Sequence, residues 1–181
     1  MAAMGVSVFG AVVGFLALQG GASEPDGTAA GNVLGLLDGQ QLRLGEPAPD
    51  FALASVRDEN EFVRLSDLRG KAVVVNFYAS WCGPCRQELP EFESVSRELA
   101  DEVAFIAVNV NESRGDALGI LESTGVTFLA VLDSDGSVAA RYALRGLPST
   151  FLLDANGIVR KIRPGAVDVE TLRSELLAII E

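Results

Sequence analysis

Residues 71–90, KAVVVNFYASWCGPCRQELP, hold both cysteines of this 181-residue chain, three positions apart. The stretch joins a run of β-branched and aromatic residues to a segment of helical periodicity. A nearly continuous apolar run at 71–80 predicts a central strand buried on both faces. Leu89, Phe92, Val95, Ser96 and Leu99 fall at helical spacing and predict a helix over about 83–100. A C-x-x-C pair at such a junction puts Cys82 at a helix N-terminus, where unpaired N–H groups and the helix dipole stabilise an anion. That lowers the thiol pKa and marks Cys82 as the nucleophile. Cys85 lies one turn on, within reach to displace a mixed disulfide. Pro84 sits in the first turn, where its missing N–H costs little. A purely structural bridge between 82 and 85 would close a loop too small to constrain the unfolded chain. Half of a metal site shared between two chains is the other alternative, and redox work explains the placement best.

The remaining pattern alternates. VAFIAVNV at 103–110 is a second buried strand, so the first β-α-β unit is expected to be parallel and right-handed. A helix is predicted over 115–124, a short strand or extended segment at 128–133, and a hairpin where STFLLD and IVRKIRP flank ANG. An amphipathic helix at 168–180 begins at Asp168. Upstream, FALAS and EFVRL are short strand candidates joined by the polar VRDEN turn. The reading is α/β, one domain, over 47–181. Residues 1–22 carry an uncharged apolar run expected to be a membrane anchor, or a signal segment cleaved near Ala22. No cysteine follows that run, which excludes a lipid-modified N-terminal cysteine. Residues 23–46, rich in Gly with no aromatic residue, read as a flexible tether.

Charge and composition exclude several classes. A net charge of −11 with no Lys/Arg block makes nucleic acid or an anionic membrane surface a poor partner. The chain has no histidine, which removes imidazole metal sites, Cys/His and Ser/His catalytic pairs and C-x-x-C-H haem attachment. Two thiols alone do not make a four-ligand zinc site.

ASWCGPCRQELP after VVVNFYAS, together with APDFAL, LSDLRGK and GLPSTFLLDANG, resembles the thioredoxin fold. More narrowly it resembles the extracytoplasmic TlpA/ResA/DsbE-like thiol–disulfide oxidoreductases, over about 47–180. The resemblance implies a mixed central sheet flanked by helices, with an N-terminal β-hairpin extension. It implies a substrate-facing rim of Trp81, Gly83, Pro84, Leu147 and a cis Pro148. Glu88, three residues after Cys85, shares a helix face with it. By resemblance it is a partly buried acid that accepts the Cys85 proton. Asn76 stands where thioredoxins proper carry a buried aspartate; an amide cannot titrate, so the relay falls to Glu88. The implied activity is reduction of protein disulfides, in relatives often an apocytochrome c. A membrane electron donor of the CcdA/DsbD kind would re-reduce a monomeric domain held on the extracytoplasmic face. No cofactor beyond the Cys82–Cys85 pair and no metal is expected.

Three alternatives stay open. APDFAL followed by SDLRGK also opens peroxiredoxins, although FYASWC lacks the proline that a peroxidatic site carries. Two thiolates suit Cu(I), as in metal-delivering relatives, but no Met or His cluster assists. An oxidant that inserts disulfides is the third, against which the Gly-Pro between the cysteines resembles reducing thioredoxins.

Overall fold

The computed structural model describes residues 42–181. The expected anchor at 1–22, and all of the expected tether except 42–46, lie outside the described residues. Strand β3 (Ala72–Tyr78) is buried along its whole length and forms the centre of a five-stranded sheet. The strand order is β5-β4-β3-β6-β7, with β4 (Val103–Val110), β5 (Leu129–Asp133), β6 (Ser149–Leu153) and β7 (Val159–Pro164). β3 runs parallel to β4, and β4 to β5, whereas β6 is antiparallel to both β3 and β7. β1 (Ala52–Ala54) and β2 (Phe62–Arg64) form a separate antiparallel pair, the anticipated N-terminal hairpin.

The pleat of β3 sorts its residues between two layers. Val73, Val75 and Phe77 enter one core with Phe51, Tyr142 and Phe151, where Phe77 and Tyr142 ring centroids lie 5.0 Å apart. Val74 and Tyr78 point the other way, toward the helices. There α1 (Gly83–Glu98) buries Cys85, Leu89, Phe92 and Val95. Also in these helix-side clusters are Ala117, Ile120 and Leu121 of α2 (Arg114–Thr124) and Leu172 and Leu176 of α4 (Val169–Ile180). Asn76 shares the parity of Val74 and Tyr78, so an amide is delivered to the helix-covered side of an otherwise apolar strand. Each fully buried large apolar side chain contributes about 1.5–3 kcal/mol, so these layers carry most of the stabilisation.

Local chemistry accounts for the helix ends. Ser113 caps α2 by accepting the Asp116 N–H, and Asp168 caps α4 by accepting the Thr171 N–H at 2.9 Å. α1 continues through Pro90 without interruption. Two elements were not anticipated: a 3₁₀ turn at Leu65–Leu68 and the five-residue helix α3 (Ser137–Arg141). The second is held by the buried Asp133 carboxylate, which accepts the N–H groups of Val138 (3.1 Å) and Ala139 (2.8 Å). Among the described residues no helix is long and apolar enough to cross a membrane.

Candidate active site

Cys82 is the N-cap of α1, with Pro84 in the first turn. Its Sγ accepts the Cys85 N–H at 3.2 Å and is bonded to Cys85 Sγ, the two Cα atoms lying 5.3 Å apart. Both cysteines are buried, Cys82 being 3% exposed and Cys85 not at all. The residues around them are not. Trp81 is 73% exposed, which rules out a core role, and Gly83 and Pro84 are also open to solvent. Leu147 is half-buried and packs against the cluster that holds both cysteines. The Leu147–Pro148 peptide is cis, Pro148 is buried, and its carbonyl accepts the Gly165 N–H at 2.9 Å.

Glu88 is only 3% exposed, an unusual place for a carboxylate. Asn76 Nδ2 donates to its Oε1 at 2.8 Å, and the Val167 N–H donates to Oε2 at 3.3 Å. Asn76 Nδ2 also reaches Thr150 Oγ1, at 3.1 Å, its directly opposed neighbour on β6. Burial pushes the Glu88 carboxyl up from 4.5 to about 7; the Asn76 and Val167 donors work against that, and nearby Glu91 adds to it. A carboxyl that exchanges its proton near neutrality, one helical turn after the inner cysteine, is chemically fit to accept the Cys85 proton.

Sequence reasoning missed a second polar cluster next to the cysteines. Ser80 donates its N–H to Glu112 Oε2 (2.7 Å) and its hydroxyl to Oε1 (2.5 Å). Arg86, the residue after Cys85, donates to the Ser80 carbonyl at 2.7 Å. One signal could have pointed to Glu112: it follows the C-terminal end of a buried parallel strand, the edge of an α/β sheet where functional groups gather. The Val167 N–H leaves no trace in the sequence, because a backbone donor has no residue signature. Among the described residues no group of three or more Cys, Asp or Glu side chains is arranged to hold a metal.

A C-x-x-C disulfide at the start of a helix, after the central strand of this sheet and with a cis-proline strand antiparallel beside it, defines a thioredoxin-fold dithiol–disulfide protein. The AhpC/TSA family profile matches residues 44–162, and the chain belongs to that thioredoxin-like family as a thiol–disulfide oxidoreductase. It is 36% identical to the thiol-disulfide oxidoreductase ResA of Geobacillus thermodenitrificans over 139 residues, 76% of this chain and 79% of the relative. It is 34% identical to the thioredoxin-like protein YneN of Bacillus subtilis over 138 residues, 75% of this chain and 79% of the relative. A crystal structure from Chlorobium tepidum, described as a DsbE-type thiol:disulfide interchange protein, superposes with a TM-score of 0.72 at 34% identity. It covers 78% of this chain and all of that one.

Proposed function

We propose that the protein reduces disulfides in protein substrates outside the cytoplasm, with Cys82 as nucleophile, Cys85 as resolving thiol and Glu88 as proton acceptor. In the first step the Cys82 thiolate attacks a substrate disulfide. A mixed disulfide forms, and one substrate sulfur leaves as thiolate. Glu88 then takes the Cys85 proton, and the Cys85 thiolate attacks Cys82 Sγ. The mixed disulfide breaks, the second substrate sulfur leaves and is protonated, and the Cys82–Cys85 disulfide remains. Two electrons have passed to the substrate, and a membrane dithiol donor of the CcdA/DsbD kind returns them. Substrate docks on the exposed rim of Trp81, Gly83 and Pro84 and along Leu147–Pro148. Haem-binding cysteines of an apocytochrome c are the substrate class that the ResA and DsbE likeness favours. The observation that carries this reading is the buried Glu88, both of whose oxygens are engaged one turn after Cys85.

The experiment is mixed-disulfide trapping with an insulin-type substrate. Cys85→Ser accumulates a covalent complex through Cys82, and Cys82→Ser abolishes reduction; trapping through Cys85 would reverse the assignment. On the same reading residues 1–22 anchor the protein and 23–46 tether it. The full chain then fractionates with membranes, whereas a chain beginning at Gly45 stays in solution as an active monomer. The AhpC/TSA match favours a second reading, thiol peroxidase. Consumption of hydrogen peroxide at a rate comparable with disulfide reduction would select it.

A further inference from the structure

Ser80 lies two residues before Cys82, and each of its polar groups is held by a side chain from elsewhere. Its N–H and hydroxyl both donate to the Glu112 carboxylate, and its carbonyl accepts from Arg86. The carboxylate takes a third hydrogen bond from Asn109 Nδ2 at 2.8 Å, and Arg86 reaches Ser123 Oγ on α2 at 3.2 Å. The carbonyl of Ala79, the residue before Ser80, accepts the Cys82 N–H at 3.2 Å. The segment leading into the nucleophile is therefore braced between α1 and the turn after β4.

That turn is shaped to deliver Glu112. Asn111 adopts a left-handed backbone, φ 56°, a region that Asn tolerates better than most residues, and its N–H donates to the Asp133 carbonyl at 3.0 Å. Its side chain fills the space beside Gly136, where a Cβ would fall 2.6 Å from Asn111 Oδ1. Gly136 itself has φ 69°, so two special backbone positions cooperate to aim one carboxylate.

We propose that Glu112 is a positioning residue for Cys82. In the disulfide form the S–S bond fixes Cys82 against the first turn of α1. In the dithiol form that bond is gone, and the thiolate is stabilised only while the backbone keeps Sγ at the helix N-terminus. Hydrogen bonds to a carboxylate are roughly twice as strong as neutral ones, which suits a brace that must hold without the disulfide. The proposal rests on Cys82 being the nucleophile.

Brace and charge predict opposite signs. Ionisable groups near the cysteine turn include Tyr78 on β3, Arg86 and Glu88 on α1, and Glu112 after β4, and the charges of Arg57 and Glu112 both act on Tyr78. Arg57 and Arg114 donate to backbone carbonyls at Val126, Phe128, Ser55 and Val56. A nearby carboxylate acting by charge alone disfavours a thiolate, so its removal would lower the Cys82 pKa. A brace acts the other way, because its removal frees Cys82 from the helix end and raises the pKa.

The test is the pH dependence of iodoacetamide alkylation of the full chain in a Cys85→Ser background, where Cys82 is the only thiol. Glu112→Ala is expected to raise the Cys82 pKa by about one unit, a roughly tenfold loss of thiolate below both midpoints. Ser80→Ala, which keeps the N–H bond, raises it less. Glu112→Gln keeps one acceptor oxygen for Ser80 but loses the charge that strengthens the brace, and raises the pKa by less than Glu112→Ala. A Glu112→Ala profile unchanged or shifted downward overturns the proposal. If Glu112→Ala does not fold, Ser80→Ala and Glu112→Gln decide, and a Ser80→Ala pKa no higher than that of the parent overturns it. A parent thiol that itself titrates at about 8.5, the ordinary cysteine value, overturns both the brace and the nucleophile assignment.

Discussion

Asn76 on the central strand donates to Glu88 on the first helix across 2.8 Å, and both side chains are buried. The amide stabilises the ionised carboxylate without contributing a proton of its own. One residue is the acid, and the other sets how readily it ionises.

Removing the acid isolates its role. Glu88→Gln keeps the fold and the reactivity of Cys82 but slows resolution of the mixed disulfide by Cys85, by about 10²-fold or more for loss of a general base. The wild-type rate rises with pH to a midpoint near the Glu88 value of about 7, and the variant lacks that limb. Stopped-flow reduction over about pH 5–9 reads both, across the range in which carboxyl and thiol titrate. Superimposable profiles would remove Glu88 from the relay.

Removing the amide moves the limb instead of abolishing it. A hydrogen bond to a charged group is worth about 1.5–3 kcal/mol, so Asn76→Ala shifts the acidic midpoint upward by one to two pH units. The same stopped-flow series measures it. A midpoint that stays in place, or falls, would show that Asn76 does not stabilise the Glu88 carboxylate.

Stability carries its own signature of the buried acid. The unfolded chain releases the Glu88 proton near 4.5, whereas the folded chain holds it to about 7. Between those values the folded state binds more protons, so this contribution is complete below 4.5 and is lost as pH rises through 7. The loss amounts to at most on the order of 3 kcal/mol. Glu93 and Asp154 act in the opposite sense. Burial pushes both up, but hydrogen bonds, chiefly from Thr127 to Glu93 and from Ile158 to Asp154, hold both carboxyls below their usual range. Their stabilisation is present above the unfolded value and is lost as pH falls, outside this window. The difference in denaturant stability between Glu88→Gln and wild type, measured from pH 4.5 to 7.5, is therefore expected to grow in the variant's favour. A flat difference would contradict the buried, proton-holding state.

Trp81 separates docking from folding. At 73% exposure its replacement by Ala changes stability by no more than about 0.5 kcal/mol. Reduction of a protein disulfide falls about tenfold in kcat/KM, equivalent to roughly 1.4 kcal/mol of lost contact, while reduction of a small aromatic disulfide is little changed. Equal losses on both substrates would place Trp81 in the chemistry and not in the docking surface.

The parts legible in the sequence are those whose signal is local. β3 and β4 show as seven- and eight-residue runs that are apolar except for one asparagine each, and α1 and α4 show as helical spacing with Asp168 at a cap position. Cys82 and Cys85 stand out by their spacing, and Glu88 by the family resemblance together with the amide at position 76, whereas the hydrogen bond that joins Asn76 to Glu88 appears only in the structure. What stayed hidden depends on distant partners. Helix α3 is only five residues long and owes its first turn to Asp133 on the preceding strand. Glu112 reaches Ser80 from a turn in which Asn111 is left-handed, and nothing in NVNES announces that conformation.

The segment before β2 has a consequence for solubility. At one border of the sheet, Gly45 and Glu46 exchange hydrogen bonds with Val159, and Pro47 bridges Ile158. By Ser55 the same stretch of chain has reached the opposite border, where it bridges Val131 of β5. The length of β7 that this strap leaves uncovered carries Arg160, Lys161, Arg163 and Pro164, side chains that discourage a foreign strand from adding. Eleven residues thus cover part of the edge strand at each border of the sheet. A single cut between 47 and 52 would leave each half of the strap holding one border by its own hydrogen bonds, so the two edges are covered independently of one another.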